Sequence, residues 1–181
     1  MNSITTKHMV LTALITAIIC CIGPITLVLP VSPIPISLAS LALYLACYLL
    51  GCRRAVLSCF LYLLIGTVGI PVFSGFGAGP AKLFGPTGGY LFGYLLMTYI
   101  SGWFIEKNRT SIFMQLFGTI LGTMSCYLLG TLWLSFQSQI TPLAALMVGV
   151  LPFLPGDIIK ICISCILGRT LYKRLLLANV W

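Results

Sequence analysis

Apolar residues fill this chain in long runs, and the polar positions break those runs at intervals of about 20 residues, the length a helix needs to cross a bilayer core. Six runs can be drawn, over residues 9–29, 36–51, 55–70, 89–105 and 112–136, with a last one opening near Pro155. This pattern predicts an all-α integral membrane protein with six transmembrane helices, folded as a single membrane domain over residues 1–181. At that length there is no room for an additional soluble catalytic domain.

The breaks between runs differ in kind. Residues 30–35, PVSPIP, cannot continue a helix, because proline removes donors and restricts the residue before it, so an outward-facing extended turn is expected. Cys52, Arg53 and Arg54 make a tight basic connection, predicting an antiparallel helical hairpin. Residues 71–88 stand apart: Gly75, Gly77, Gly79, Gly85 and Gly88 alternate with Pro71, Pro80 and Pro86, yet Phe73, Phe76 and Phe84 remain among them. Irregular backbone near membrane depth persists only where protein covers it or it lines a wet cavity, so this segment is expected to fold over the outer half of the bundle as a ligand lid. Residues 143–151 form a second short apolar piece on that side, and Pro155 suits the first turn of the helix after it.

Composition agrees with a lipid environment: 60% of residues are hydrophobic and 7% charged, against about 25% charged in soluble domains. The net charge of +8 is not gathered into a stripe with interleaved aromatics, so no nucleic-acid partner is expected. The basic residues act instead as topology signals. With a cytoplasmic N-terminus, Lys7, Arg53, Arg54, Lys107, Arg109, Arg169, Lys173 and Arg174 fall inside and Lys82 outside, which predicts a multi-pass protein with both termini in the cytoplasm. The bilayer is its first partner.

Several motifs carry less than they suggest. The 8 cysteines lie within or at the ends of apolar runs, which argues against disulfides or a zinc site, and the single His8 cannot build a metal centre. Gly75, Gly77 and Gly79 lack the spacing and the preceding strand of a phosphate cradle, and no P-loop is present, so the chain does not bind ATP by itself. Asn108-Arg109-Thr110 matches the glycosylation sequon on the expected inner side, where it is a chance match. The first run is too long for a secretory signal and reads as a retained helix. Gly89 with Gly93, and Gly118 with Gly122, have the spacing of close helix packing.

Asp157 and Lys160 are different. Each ionisable group at membrane depth costs about 2.5 to 3.5 kcal/mol on the insertion scale, so a retained pair marks a functional site by default. Their i, i+3 spacing puts both on one helix face, with the carboxylate near the positive end of the helix dipole. A self-neutralising structural pair is the plain alternative, but buried pairs add little stability. The pair offers a carboxylate acceptor beside an ammonium donor, complementary to a small solute with adjacent N–H donors and a C=O acceptor.

Pro71-Val72-Phe73, Gly85-Pro86-Thr87-Gly88-Gly89-Tyr90-Leu91, and Pro152-Phe153-Leu154-Pro155-Gly156-Asp157 with Lys160 occur in this order over nearly the whole chain. Together they resemble the BioY family, the biotin-binding S components of energy-coupling-factor (ECF) transporters. The resemblance implies a six-helix S-component fold in a bacterial or archaeal cell membrane, with biotin as transported ligand and no cofactor. It also implies a separate transmembrane coupling subunit and two cytoplasmic ATPases. Biotin is then expected between the turn containing Pro35, the PVFSGF segment with Phe73, Gly75 and Phe76, and the Asp157/Lys160 face, with Phe73, Phe76 and Tyr90 as apolar walls or, equally, as core. Ala39 stands where the family often has glutamine, leaving one polar ligand contact missing or replaced. Ala13 and Ala17 match the alanine face by which such S components dock on the coupling subunit; packing against the chain's own helices is the alternative. A membrane enzyme is disfavoured, because no nucleophile with a base and no paired carboxylates converge. A facilitator working without ATPases remains the competing transport reading.

Overall fold

The computed structural model describes residues 6–27 and 36–177, the side chains of Leu27 and Ile36 excepted. The helices are α1 (Thr6–Ile22), α2 (Ala39–Leu50), α3 (Cys52–Val68), α4 (Pro80–Leu83), α5 (Gly88–Lys107), α6 (Ile112–Ser138), α7 (Pro142–Gly149) and α8 (Leu154–Leu177). Two short strands, β1 (Thr26–Leu27) and β2 (Ile36–Ser37), pair antiparallel before α2. The expected turn at 30–35, Pro35 included, lies outside the described residues.

Six longer helices thus follow the six apolar runs, with local corrections. The first stops at Ile22 rather than 29, because Pro24 has no N–H and Gly23 lies where a Cβ would sit 2.6 Å from the Val72 carbonyl oxygen. Cys52, Arg53 and Arg54 are not a connection but the first turn of α3, and the turn between α2 and α3 is Gly51 alone, at φ 77°. Glu106 supports that turn by accepting the Cys52 amide at 2.6 Å. By length and apolarity, one single helix among the described residues qualifies to cross a membrane, Ile112–Ser138; Pro142–Gly149 with Leu154–Leu177, bent by 52°, qualifies as a pair.

α2 is the most enclosed of the longer helices. Ala39, Ala42, Ala46 and Cys47 are small enough for neighbours to approach, and Leu43, Tyr44 and Tyr48 fill the space between them and α1, α3, α5 and α8. α5 and α6 pack along their glycines: a Cβ at Gly89, Gly93, Gly118 or Gly122 would collide with Trp133, Cys126, Phe104 or Ser101 respectively. Both GxxxG pairs therefore serve packing inside the bundle. Outward, α6 shows Phe113, Met124, Leu128 and Phe136 largely exposed, an apolar surface that suits lipid.

Apart from Lys82 and Lys160, the basic residues gather at one end. His8 of α1 meets Arg54 of α3 at 3.1 Å, Arg109 donates to the Tyr48 carbonyl at 2.7 Å and stacks on Tyr172 of α8, and Arg169 reaches Gln115 of α6 at 3.1 Å. The first turns of α1, α3 and α6 and the last turns of α2, α5 and α8 share this end, so the α8 N-terminus points the other way.

Candidate functional site

At the end opposite the basic cluster, a mainly apolar cavity of about 70 Å³ opens between the first turns of α2, α5 and α8 and the middle of α6. Asp157 and Lys160 form its polar wall. Both are buried, at 9% and 7% exposure, and they pair at 2.9 Å. Pro155 in the first turn of α8 sets the phase that turns this face inward.

The two groups are not equivalent. The Lys160 ammonium donates to the Ser37 carbonyl at 2.8 Å, to Ser40 Oγ at 3.1 Å and to Asp157 Oδ1 at 2.9 Å. An ammonium has three N–H groups, so all of its donors are engaged, two of them fastening α8 to the start of α2. Asp157 accepts Lys160 at Oδ1 and the Tyr127 hydroxyl at Oδ2, 2.5 Å away. Each carboxylate oxygen can take a second donor, so Asp157 keeps open acceptor sites towards the cavity. The donor and acceptor expected side by side are therefore an acceptor with spare capacity next to a saturated donor.

Hydroxyls complete the polar lining. Tyr44 and Thr123 share a hydrogen bond of 2.7 Å. Tyr94 lines the cavity, and its hydroxyl makes no hydrogen bond among the described residues. Ser74 and Thr87 bring in the glycine-rich segment, and Phe153 closes the side towards α7.

Of the residues singled out from sequence, Asp157, Lys160 and Tyr90 meet at this cavity. Tyr90 also donates to the Gly149 carbonyl at 2.9 Å, tying α5 to the end of α7. Phe73 does not line the cavity; it is fully buried against Gly66 and stands edge-on to Tyr62 with ring centroids 5.5 Å apart. Phe76 points away at 71% exposure, and Gly75 beside it sits at φ 67° in a single 3-10 turn, so of the PVFSGF segment Ser74 is the residue that lines the cavity. Ala39 is fully buried at the start of α2, off the cavity wall, while its neighbour Ser40 lies on it. Ala13 and Ala17 are exposed on α1, whose inward positions are Thr12, Thr16 and Ile19.

The model of the BioY family matches residues 1–176. The chain belongs to the BioY family. It is 37% identical over 165 residues to Biotin transporter BioY2 of Lactococcus lactis subsp. cremoris, covering 91% of this chain and 90% of that protein. It is 34% identical over 145 residues to Biotin transporter BioY of Thermotoga maritima, covering 80% and 85%. Its fold is similar, with a TM-score of 0.86 and 31% identity over 96% of this chain and 94% of the other, to the crystal structure at 2.1 Å of the S-component for biotin from an ECF-type ABC transporter.

Within this BioY chain, the residue that sequence reasoning most plainly missed is Tyr127. Its signal was available: Gln115, Thr119, Thr123 and Tyr127 recur every four residues in the apolar α6, one polar stripe on one helix face. The stripe is hydrogen-bonded throughout, Thr119 to the Gln115 carbonyl, Thr123 to the Thr119 carbonyl and Tyr127 to Asp157. Tyr94 and Ser40 carried the same signal, in Tyr90, Tyr94 and Thr98 of α5 and in Ser40, Tyr44 and Tyr48 of α2, each set recurring every four residues.

Proposed function

We propose that this chain is the biotin-binding S component of an ECF-type ABC importer in a bacterial or archaeal cell membrane. It is a transport protein and not an enzyme. The observation that carries the reading is the buried Asp157 carboxylate, with open acceptor sites on a largely apolar cavity, in a chain so similar to a solved S-component for biotin. The ureido ring of biotin presents two N–H donors, and Asp157 accepts them; the saturated Lys160 balances the carboxylate's charge and holds the wall in register. Tyr94, like Ser74 and Thr87, has a hydroxyl that can donate to the ureido carbonyl, and Leu91, Met97 and Phe153 face the apolar part of the ligand. Phe73 and Phe76 act from behind and outside the lid rather than as ligand walls.

The six longer helices are the six spans, and the basic end is the cytoplasmic one with both termini there, as the positive-inside rule requires. The cavity then faces outward, beneath the glycine-rich segment and α7. The exposed Ala13 and Ala17 leave room for another helix to lie close along α1, which supports docking there of a transmembrane coupling subunit that works with two ATPases.

Mass spectrometry of small molecules retained by the detergent-purified chain, followed by calorimetric titration of stripped protein with biotin in the absence of ATP, tests the proposal. Saturable heat at or below micromolar biotin is expected. A nanomolar site needs about −12 kcal/mol, which over about 16 ligand atoms stays inside the ceiling for small ligands. Folded, ligand-free protein that gives no saturation would overturn the assignment.

A further inference from the structure

A second concavity lies at the opposite end of the bundle, on the surface that faces lipid. It is a groove of about 410 Å³ between the first turns of α6 and the last turns of α8. Ile112 and Leu116 form one side, Cys162 and Ile166 the other, and Arg169 and Lys173 stand at its basic end. The α8 residues recur every three to four positions and so share one face, over about 16 Å of helix.

The charge there is uncompensated. Arg169 is held by neutral partners, Gln115 Oε1 at 3.1 Å and the Thr110 carbonyl at 3.2 Å. A guanidinium has five donors, so three remain for another acceptor. Among the described residues the one ion pair is Asp157 with Lys160, so neither Arg169 nor Lys173 meets a carboxylate. The α6 N-terminus adds the positive end of a 27-residue helix beside them.

We propose that this groove binds one anionic phospholipid of the cytoplasmic leaflet, an acyl chain lying along Leu116, Cys162 and Ile166 and the phosphate seated between Arg169 and Lys173. The apolar length of the groove distinguishes it from a simple phosphate site, and the paired cations at one end distinguish it from a surface indifferent to headgroup. The inference rests on the orientation argued above, with the basic end inside; it does not depend on what the outer cavity binds.

Native mass spectrometry of the full chain in detergent, titrated with phosphatidylglycerol or phosphatidylcholine, tests it. The protein should retain one phosphatidylglycerol with about 25-fold preference, fivefold for each cation. Lys173→Gln should reduce that preference about fivefold, and Cys162→Trp, which fills the groove, should abolish the single saturable adduct. An unchanged thermal unfolding midpoint shows that each variant is folded, independently of biotin. Equal retention of the two lipids, or adducts unaffected by both variants, would overturn the proposal. So would displacement of the lipid by millimolar inorganic phosphate, which marks a bare anion site, or protection of Cys162 from alkylation only with a coupling subunit present, which marks a protein interface.

Discussion

Asp157→Asn keeps the shape of the side chain and removes its charge, and the structure separates what this does to folding from what it does to binding. The amide oxygen can still accept Lys160, which also keeps the Ser37 carbonyl and Ser40 Oγ. The amide nitrogen falls where the Tyr127 hydroxyl now donates at 2.5 Å, and a tyrosine hydroxyl can turn to accept instead. The protein's own hydrogen bonds are thus remade, but Lys160 stays buried without its counter-charge, so folding still loses about 3 to 5 kcal/mol. The ligand has no such recourse. Two N–H groups that met a carboxylate now meet one committed oxygen and an opposing donor, a loss of about 2 to 5 kcal/mol, or at least about thirtyfold in Kd. Lys160→Met should destabilise at least as much, because besides leaving Asp157 buried without its counter-charge, a cost of about 3 to 5 kcal/mol, it also cuts the bonds to the Ser37 carbonyl and Ser40 Oγ. Calorimetric titration with biotin beside thermal unfolding of the unliganded variants reads both effects. A Kd for Asp157→Asn within threefold of the parent, with the protein folded, would refute the assignment of Asp157 as ligand acceptor.

Tyr127→Phe deletes a hydrogen bond to a charged group and should lower unfolding free energy by about 1.5 to 3 kcal/mol, measured by denaturant titration in detergent. Gly118→Leu drives a side chain into Phe104 across the α5–α6 contact; overpacking there should destabilise by about 1 to 3 kcal/mol or more, seen as a lower unfolding midpoint. Ala13→Trp, on the exposed face of α1, should leave biotin binding by the isolated chain intact while ATP-driven uptake and co-purification of the coupling module fall in cells that express it. Unchanged uptake and co-purification would place the docking face elsewhere.

The helices were legible where an apolar run ends at a residue with a local reason to end it, as at Gly51 and Pro155, whereas the Gly-Pro pair after Ile22 was passed over and the first run carried to 29. The Asp157/Lys160 pair was legible because charge is so rare in the rest of the chain. What the pair does was less so. That Lys160 is saturated depends on the Ser37 carbonyl, more than a hundred positions away and contributed by backbone, which leaves no trace in residue identity. The aromatic residues of the glycine-rich segment misled as ligand walls for a similar reason. Phe73 and Phe76 are three apart, but the 3-10 turn between them, with Gly75 at positive φ, sends one into the core and the other out to the surface. Residue type alone does not register such a reversal.

The anchoring of Lys160 on a backbone carbonyl has a bearing on how such a protein can change over time. A side-chain partner can be lost by a single substitution, whereas the Ser37 carbonyl is present whatever residue occupies that position. The half of the strut that runs from α8 to the end of β2 is therefore insulated from drift, while the bond to Ser40 Oγ on α2 is not. The groups that would read a ligand, Tyr94, Thr87, Ser74 and the open face of Asp157, sit beside that strut and are not part of it. Ligand preference can be retuned at those positions, by selection or by design, while the frame that presents them keeps its geometry.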